Sequence, residues 1–351
     1  MDDFSPKKWV PLILILGFFS FWLLVKQPAQ QEVHATTRLA MGTLVSVSTW
    51  GVAGGEEEKA INDVFTKISQ VEALASRQNS TTPVHEINQS PGMKPFPVSE
   101  ELATIVGAGL NMHTVSNGAF DPGLAHLLDL WGFAHGVPDV GRIPEAGAIT
   151  AWLEERGKYS EYGIRLTKDK DGTALLTVES HAFALDLGAI AKGYALDKAM
   201  ETIKHDGIAN ALIIGGGDMV ISGSKGGKPW RIGIQHPRDR EKVMAFAEIS
   251  GEIAMATSGD YERFFMVAGE RQHHILDPKT GRPSRSGLIS VSIQTKKAMD
   301  ADMFSTAVFV MGMEKGKAFI EKTDGVEGMM VAEDGSRWKS SGFKGQWLEG
   351  P

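Results

Sequence analysis

The chain has 351 residues, a formal net charge of −7 and no cysteine. Its length allows one large domain or two smaller ones. Its acidic balance argues against a general nucleic-acid binder, because basic residues are not concentrated enough to cover phosphates. Without cysteine the chain forms no disulfide and no thiolate metal site, so only oxygen and histidine ligands remain for a metal.

An apolar segment near the amino terminus predicts a membrane anchor. Residues 9–25, WVPLILILGFFSFWLLV, follow a polar tail, residues 1–8, that contains two lysines. This length is at the short end for a spanning helix, and the lysines place the tail in the cytoplasm and the rest outside. A cleaved signal peptide is the alternative, with VHA at 33–35 as a late cleavage site. The apolar run is longer than the apolar core of most signal peptides, which favours an uncleaved anchor.

The elements beyond the anchor alternate irregularly. Residues 26–37 are polar and predict a linker, and residues 39–50, LAMGTLVSVSTW, predict a strand. Apolar spacing predicts helices over 56–74, 100–115, 186–205, 301–311 and 315–322. Further strands are predicted over 174–178, 211–214, 230–235, 245–249 and 288–294. Mixed order without strict alternation favours a mixed α/β or α+β domain over a doubly wound sheet.

Two charges interrupt the apolar stretch FALDLGAIAKGYALDKA, residues 183–199. Asp186 lies where the amides of a helix start favour negative charge. Lys192 projects inward, which is costly unless an anion meets it. The opposite face should see water and contains Asp197, Lys198, Glu201, Lys204 and His205. A capping Asp186 and a snorkelling Lys192 are the alternative, but the glycines at 188 and 193 favour a ligand pocket.

Two other stretches could bind phosphate or a cation. GGGD, residues 215–218, could cradle phosphate with its amides, although a tight turn without a ligand is equally expected. ADMFSTAVF, residues 301–309, places Asp302, Ser305 and Thr306 on one face of a helix. These oxygens suit Mg²⁺, whereas an N-cap Asp with hydroxyls bonding back to the helix is the alternative.

A histidine pair precedes a predicted hairpin turn at 277–283, in HHILDPKTGRPS. His273 and His274 point to opposite sides if the segment is extended, so only one faces a given pocket. A histidine has the pKa that suits a general base. The segment NGAFDPG, residues 117–123, could likewise be only a turn.

Taken in order, six motifs resemble those of the FAD:protein FMN transferases, the ApbE family. They are MGT (41–43), GAFDPG (118–123), LDLGAIAKGYALDKA (185–199), ALIIGGGD (211–218), HHILDPKTGRP (273–283) and ADMFSTA (301–307). The resemblance covers about residues 38–335, and it implies a single large ApbE-like catalytic domain over 38–345. Enzymes of this family split the pyrophosphate of FAD, transfer FMN through its phosphate to a Thr or Ser hydroxyl of a target protein, and release AMP.

The same resemblance implies roles for individual residues. Contacts with FAD are implied for Met41, Gly42, Thr43, Ala119, Phe120, Asp121, Asp186, Lys192 and Ile275. A Mg²⁺ ion is implied at the carbonyl of Ala189, at Asp302 and Thr306, and at Ser305 as a further candidate. His274 falls near the reacting phosphate, so His274 and Asp302 are the catalytic candidates. Gln78 lies where the family often has an aromatic residue stacked on the flavin, so flavin affinity would rest on other contacts.

The resemblance also implies partners and a location. The acceptors would be flavin-bearing, membrane-attached subunits of sodium- or electron-transferring respiratory complexes. The enzyme would be a single-pass protein of the inner membrane, with its catalytic domain in the periplasm. Two alternatives remain: a Mg²⁺-dependent FAD pyrophosphatase that yields FMN and AMP, and a non-catalytic, membrane-tethered flavin-binding module.

Overall fold

The computed structural model describes residues 33–52, 55–92, 94–133 and 143–348. Its helices are α1 (Gly55–Ala75), α2 (Pro83–Gln89), α3 (Glu100–Val115), α4 (Ala125–Leu130), α5 (Ala146–Gly157), α6 (Ala191–His205), α7 (Ala298–Met311) and α8 (Met313–Lys322). Its strands are β1 (Val33–Ala40), β2 (Thr43–Trp50), β3 (Phe96–Val98), β4 (Ile164–Lys168), β5 (Ala174–Val178), β6 (Ala211–Gly215), β7 (Asp218–Ser222), β8 (Trp230–His236), β9 (Asp239–Ile249), β10 (Ile253–Gly259), β11 (Phe264–Val267), β12 (Glu270–His273), β13 (Leu276–Asp277), β14 (Arg282–Pro283), β15 (Leu288–Thr295), β16 (Glu327–Ala332), β17 (Arg337–Lys339) and β18 (Gln346–Trp347).

An eight-stranded sheet organises the described chain, in the order β1-β2-β6-β7-β10-β15-β16-β17. Every neighbouring pair in it is antiparallel. Central strands are apolar on both faces because successive side chains enter different cores. In β6, Ile213 packs in the core shared with α1, α6 and α7, whereas Leu212 packs against the three-stranded sheet β8, β9 and β18. The predicted mixed fold of antiparallel sheets and packed helices is confirmed.

The first hairpin corrects two predictions about the start of the domain. Residues 33–37 were predicted as linker, but they belong to β1, which pairs with β2 along its whole length. The predicted strand 39–50 is interrupted at Met41 and Gly42, whose φ angles are 51° and 70°. Two positive φ angles define the tight turn whose twist suits a hairpin. Met41 is held there by its amide, which donates to the Glu72 carboxylate at 3.0 Å.

The helix that carries Lys192 also differs from its prediction. Helix α6 begins at Ala191, after a turn at 188–190, and not at residue 186. Asp197 was predicted to face water, but its two carboxylate oxygens accept from the amides of Ala298 and Met299 at 2.7 and 3.0 Å. It therefore caps the start of α7, whose own N-cap residue makes no side-chain bond. Burial raises the pKa of Asp197 to about 6.

Other elements follow the apolar spacing closely. The helix predicted over 100–115 and the strand predicted over 174–178 have these bounds in the structure. The ends of the remaining elements differ from their predicted positions by a few residues, and strand β9 begins six residues earlier than predicted. Helix α3 starts cleanly because the Ser99 hydroxyl accepts from the Leu102 amide and two glutamates occupy the first turn.

The predicted anchor at 9–25, the tail before it and the linker as far as residue 32 lie outside the described residues. Among the helices that are described, none combines the length and apolarity that crossing a bilayer demands.

Candidate active site

Lys192 lies between two buried carboxylates. Its ammonium is 2.5 Å from Asp218 Oδ2 and 3.2 Å from Asp302 Oδ2. Only 3% of the Asp218 side chain and 5% of the Asp302 side chain are exposed. The Gly193 amide also donates to Asp302, at 3.3 Å. Asp302 lies in the second turn of α7 and binds across to α6, so the alternative in which it caps its own helix is wrong.

The charges in this cluster do not balance. Burial, and then the charge of Asp302, raise the pKa of Asp218 to about 7. Burial also raises the pKa of Asp302, against the attraction of Lys192. Burial alone would lower the pKa of Lys192, but the two carboxylates together raise it. One ammonium cannot neutralise two carboxylates, so the cluster favours either a proton on Asp218 or a further cation.

Hydroxyl groups extend the cluster along α7. Ser305 Oγ donates to the Asp302 carbonyl at 2.9 Å and lies 2.8 Å from Ser258 Oγ. Ser258 Oγ is also 3.2 Å from the Thr306 hydroxyl. Ser305 thus forms a hydrogen bond with the backbone of its own helix, as the alternative to a metal site predicted for these hydroxyls. Ala189 lies in the partly exposed turn before α6.

The donor set fits a hard cation with few protein ligands. Asp302, Asp218 and Thr306 offer carboxylate and hydroxyl oxygens, which Mg²⁺ prefers, and Mg²⁺ usually keeps several waters. Within the described ranges, no three His, Asp or Glu side chains gather as a protein-only metal cage. A Mg²⁺ ion at Asp302 and Thr306 remains a prediction. The oxygens present there are of the kind that Mg²⁺ prefers.

Asp186 is bound by an arginine that the sequence did not single out. Its Oδ2 lies 2.5 Å from Arg77 Nε, and its Oδ1 accepts from the Gly188 amide at 2.9 Å. Arg77 also pairs with Asp129 at 2.7 Å. Asn88 fixes the same segment, because its amide group bonds both the N–H and the C=O of Leu185. Asp186 is therefore held by Arg77 in front of α6.

The GAFDPG loop directs its main side chains inward. Phe120 is only 2% exposed and belongs to the main core. The Asp121 carboxylate accepts from the Gly123 amide at 2.7 Å, from the Tyr162 hydroxyl at 2.5 Å and from Arg156 at 2.5 Å. Ala119 is partly exposed. A contact of Asp121 with FAD stays a prediction, but its carboxylate is already satisfied by protein groups.

The two histidines differ as an extended segment requires. His273 is 3% exposed, with Nε2 3.0 Å from the Ser284 carbonyl. His274 is partly exposed, and its Nδ1 lies 3.3 Å from the Arg263 carbonyl. Burial lowers the pKa of His273 to about 4 and that of His274 to about 3, the latter helped by the charge of Arg263. Since a carbonyl only accepts, Nδ1 of His274 carries the proton and Nε2 keeps a free lone pair.

Two hairpin turns meet beside Asp218. The GGGD stretch is the turn between β6 and β7, with φ angles of 59° at Gly216 and 92° at Gly217. A Cβ atom at Gly216 would lie 3.1 Å from the Thr43 hydroxyl, so the MGT turn packs directly on it. Met41 and Thr43 are partly exposed, and Gly42 is exposed. The predicted hairpin turn after the histidines is also present, between β13 and β14.

The remaining predicted contacts lie at the margins of the site. Ile275 is 5% exposed, and its carbonyl accepts from the Ser284 amide at 2.9 Å. Gln78 is exposed, and its side-chain oxygen accepts from Ser76 Oγ at 3.3 Å.

The separate motifs lie within electrostatic reach of one another. The charges of Arg263 and Lys192 both lower the pKa of His274, and those of Asp186 and Arg77 act on Arg263. Sequence reasoning missed Arg77, Arg263 and Asp218 as site residues. Asp218 had a signal, since it ends GGGD, and Arg77 adjoins Gln78. No pattern in the sequence marks Arg263.

Comparison with known proteins identifies the family to which this chain belongs. A model of the ApbE family matches residues 41–330. The chain belongs to the ApbE family. Its relatives include the "FAD:protein FMN transferase" of Salmonella typhimurium, 31% identical over 90% of this chain and 89% of that protein. The protein of the same name from Escherichia coli K12 is 31% identical over 91% of each chain.

Solved structures of the ApbE family share the fold. The ApbE protein of Thermotoga maritima has a TM-score of 0.78 and 32% identity, covering 88% of this chain and 97% of that one. The flavin transferase ApbE of Vibrio cholerae has a TM-score of 0.76 and 29% identity, covering 90% of this chain and 99% of that one. The match extends over nearly the whole of these ApbE proteins, so the architecture described above is that of the family.

Proposed function

We propose that this chain transfers FMN from FAD to a Thr or Ser hydroxyl of a target protein, forms a phosphoester bond and releases AMP. The observation that carries the proposal is the buried cluster of Lys192, Asp218 and Asp302, whose ammonium acts electrostatically on His274, in a chain whose relatives are named for this reaction. Phosphoryl transfer depends mainly on positioning and on neutralising charge, and this cluster supplies fixed charges of both signs.

The protein groups have separate tasks in this reaction. Nε2 of His274, which its lowered pKa keeps unprotonated, accepts the proton of the attacking hydroxyl, whose oxygen forms a bond to the FMN phosphorus. The negative charge of the nucleotide phosphates would raise that pKa toward the range that suits a base. The bond from that phosphorus to the AMP oxygen breaks, and AMP leaves with the electron pair. Lys192, 29% exposed, presents its ammonium to the developing charge while Asp218 and Asp302 hold it. Mg²⁺ held by Asp302, Thr306 and the Ala189 carbonyl would neutralise charge on the pyrophosphate.

We further propose the location and partners. Residues 9–25 would anchor the chain in the inner membrane, with residues 1–8 in the cytoplasm and the domain over 38–345 in the periplasm. The lysines of the tail and the apolar run support this arrangement. Membrane-attached flavin-bearing subunits of respiratory or electron-transfer complexes would then be acceptors on the same side.

The test is incubation with FAD, Mg²⁺ and a Thr-containing acceptor, read by intact mass of the acceptor. We expect an FMN adduct that is lost when the acceptor Thr is replaced by Val. Asp302→Ala should lower the rate at least about a hundredfold, or about 3 kcal/mol of barrier. Its fold should survive, because Lys192 keeps Asp218 as a partner. Release of AMP and free FMN without an adduct would instead identify a pyrophosphatase, and no AMP at all would identify a binding module.

A further inference from the structure

Arg263 is a partly buried cation that has no carboxylate partner in the described part of the chain. Among the described residues no Asp or Glu oxygen lies within ion-pair distance of its guanidinium. One of its terminal nitrogens, Nη2, donates to the Phe133 carbonyl, and its Nε is buried without a hydrogen-bond partner in the part of the chain that the structure describes. A buried charge and an unpaired N–H are each unfavourable. The structure therefore leaves Arg263 short of an anion.

Arg77 offers a second unpaired donor close by. Its side chain is 9% exposed, and two of its nitrogens bind Asp186 and Asp129. The third, Nη2, is buried and finds no partner among the residues described. Both guanidiniums bind the same short segment of chain, since Arg77 pairs with Asp129 and Arg263 donates to the carbonyl of Phe133 just beyond it. The charge of Arg77 accordingly lowers the pKa of Arg263. Asp129 is 46% exposed and is therefore screened by solvent, which leaves Asp186 as the main counter-charge for both.

We propose that Arg263 and Arg77 form a subsite for a phosphoryl group, which holds the phosphate of the flavin nucleotide beside His274. This inference rests on the proposed function. Guanidinium groups match phosphate oxygens geometrically and bind them in pairs of hydrogen bonds. The Arg263 side chain is partly exposed, and turning its guanidinium from the Phe133 carbonyl presents its N–H groups to the ligand.

Arg263 also connects phosphate binding to the base. Its carbonyl accepts from the His274 amide at 3.1 Å and from His274 Nδ1 at 3.3 Å. The residue that binds the phosphate thus also fixes the orientation and tautomer of the imidazole. The Arg263 guanidinium lies 5.9 Å from the centre of the Phe133 ring, and that ring packs edge-on against His274. A phosphate on the Arg263 side chain would therefore lie beside the imidazole.

The experiment compares ligands that differ in phosphate content. Riboflavin, FMN and FAD are titrated into the whole protein and into Arg263→Gln, Arg263→Lys and Arg77→Gln, followed by flavin fluorescence. The control is Arg165→Gln, which removes a charge from an exposed ion pair with Glu179. We expect Arg263→Gln to weaken FMN and FAD about tenfold to a hundredfold, the loss typical of charged hydrogen bonds. Riboflavin should change less than about twofold, and Arg263→Lys should lose less affinity for FMN than Arg263→Gln.

Inorganic phosphate separates the phosphoryl group from the rest of the nucleotide. It should compete with FMN on the wild-type protein and compete less on Arg263→Gln. Equal losses for riboflavin and FMN, unchanged FMN affinity, or no competition by phosphate would each overturn the subsite. Because binding requires no transfer, a protein that shows this contrast but modifies no acceptor would refute the proposed function alone. A protein that flavinylates its acceptor while Arg263→Gln binds FMN normally would refute the subsite alone.

Discussion

The ammonium of Lys192 shows how one side chain can serve both folding and chemistry. It joins α6 to β7 and α7 through two carboxylates that would otherwise repel each other in a buried place. The pair leaves one negative charge for a proton or a further cation to balance, and the ammonium remains partly exposed. The residues that stabilise the contact between α6 and α7 are therefore the residues that a nucleotide and a cation would meet.

Replacing His274 should separate chemistry from binding. We expect His274→Ala to lower transfer at least about a hundredfold, the usual contribution of a general base, while FAD affinity changes less than about threefold. Transfer rate and flavin fluorescence are measured side by side, with His205→Ala, at a 91% exposed ring, as control. His273 is unsuitable as the control because it is buried against Phe309. A loss of affinity that matches the loss of rate would limit His274 to contacting the nucleotide.

Asp121 should prove to be a structural residue. Asp121→Ala leaves Arg156, 13% exposed, without its carboxylate partner, and breaking a buried ion pair of this kind costs about 3–5 kcal/mol. We expect that loss in the free energy of unfolding in urea, with FAD affinity of the folded protein unchanged. Asp171→Ala, in an exposed turn, should change stability by less than about 0.5 kcal/mol. A stable Asp121→Ala protein that no longer binds FAD would restore the predicted ligand contact.

Among the helices and strands, apolar periodicity predicts which faces are buried. It does not predict which residues bind one another across the fold. Helix α3 and strand β5 could be placed from spacing alone because each has one pattern and clear ends. The β1–β2 turn could not, since Met41 and Gly42 lack the Asn-Gly chemistry that marks such turns. The cap that Asp197 gives to α7 joins residues about a hundred positions apart, which no local pattern contains. For the same reason, the order of the motifs in the sequence was enough to locate the site. The pairs Arg77–Asp186 and Lys192–Asp218 could be found only from the folded structure.

Glycine at 193 should set the spacing of α6 and α7. A Cβ atom there would lie 2.3 Å from the Ala298 carbonyl oxygen, so Gly193→Ala must push the helices apart. We expect a loss of about 1–3 kcal/mol in unfolding free energy. Transfer should fall more than FAD affinity, because Asp302 moves away from Lys192. The matched control is Gly147→Ala in α5, where a Cβ meets nothing within 4 Å. Equal stability of the two variants would show that the helices adjust without strain.

The burial of His273 should make one part of the molecule's stability depend on pH. The pKa of His273 is about 4 in the folded chain against an ordinary 6.5. Between these values the unfolded chain binds the proton and the folded chain does not. The contribution of His273 to stability is therefore present above pH 6.5 and is lost as the pH falls toward 4. From pH 7 to 5 this residue should remove about 2 kcal/mol.

Comparison of variants isolates that contribution. The raised pKa values of Asp218 and Asp197 act in the opposite direction, because the folded chain binds their protons first and gains stability as the pH falls. Urea unfolding is therefore measured at pH 7 and pH 5 in the wild type and in His273→Gln. The change in unfolding free energy from pH 7 to pH 5 should differ by about 2 kcal/mol between the variant and the wild type. An unchanged difference would mean that His273 is protonated in the folded protein.

Truncation should separate the proposed anchor from the domain. Removing residues 1–31 leaves β1 and every site residue, and we expect a folded, active protein that needs no detergent, whereas the full chain does. Removing residues 1–40 deletes β1 and exposes the edge of β2, so that protein should aggregate. Amino-terminal sequencing of the mature protein completes the test. A start at residue 36 would contradict the anchor, and it would also remove the first three residues of β1.

The site is joined by bonds between distant parts of the chain. Asn88 and Leu185 are 97 residues apart, Arg77 and Asp186 are 109 apart, and the indole of Trp131 donates to the Gly281 carbonyl across 150 residues. Each bond closes a long loop, and the entropy of closure must be overcome before the bond stabilises anything. Nucleotide affinity therefore arises only in the last stages of folding. A chain that has not finished folding holds no flavin, and FAD stabilises only those molecules that have folded completely.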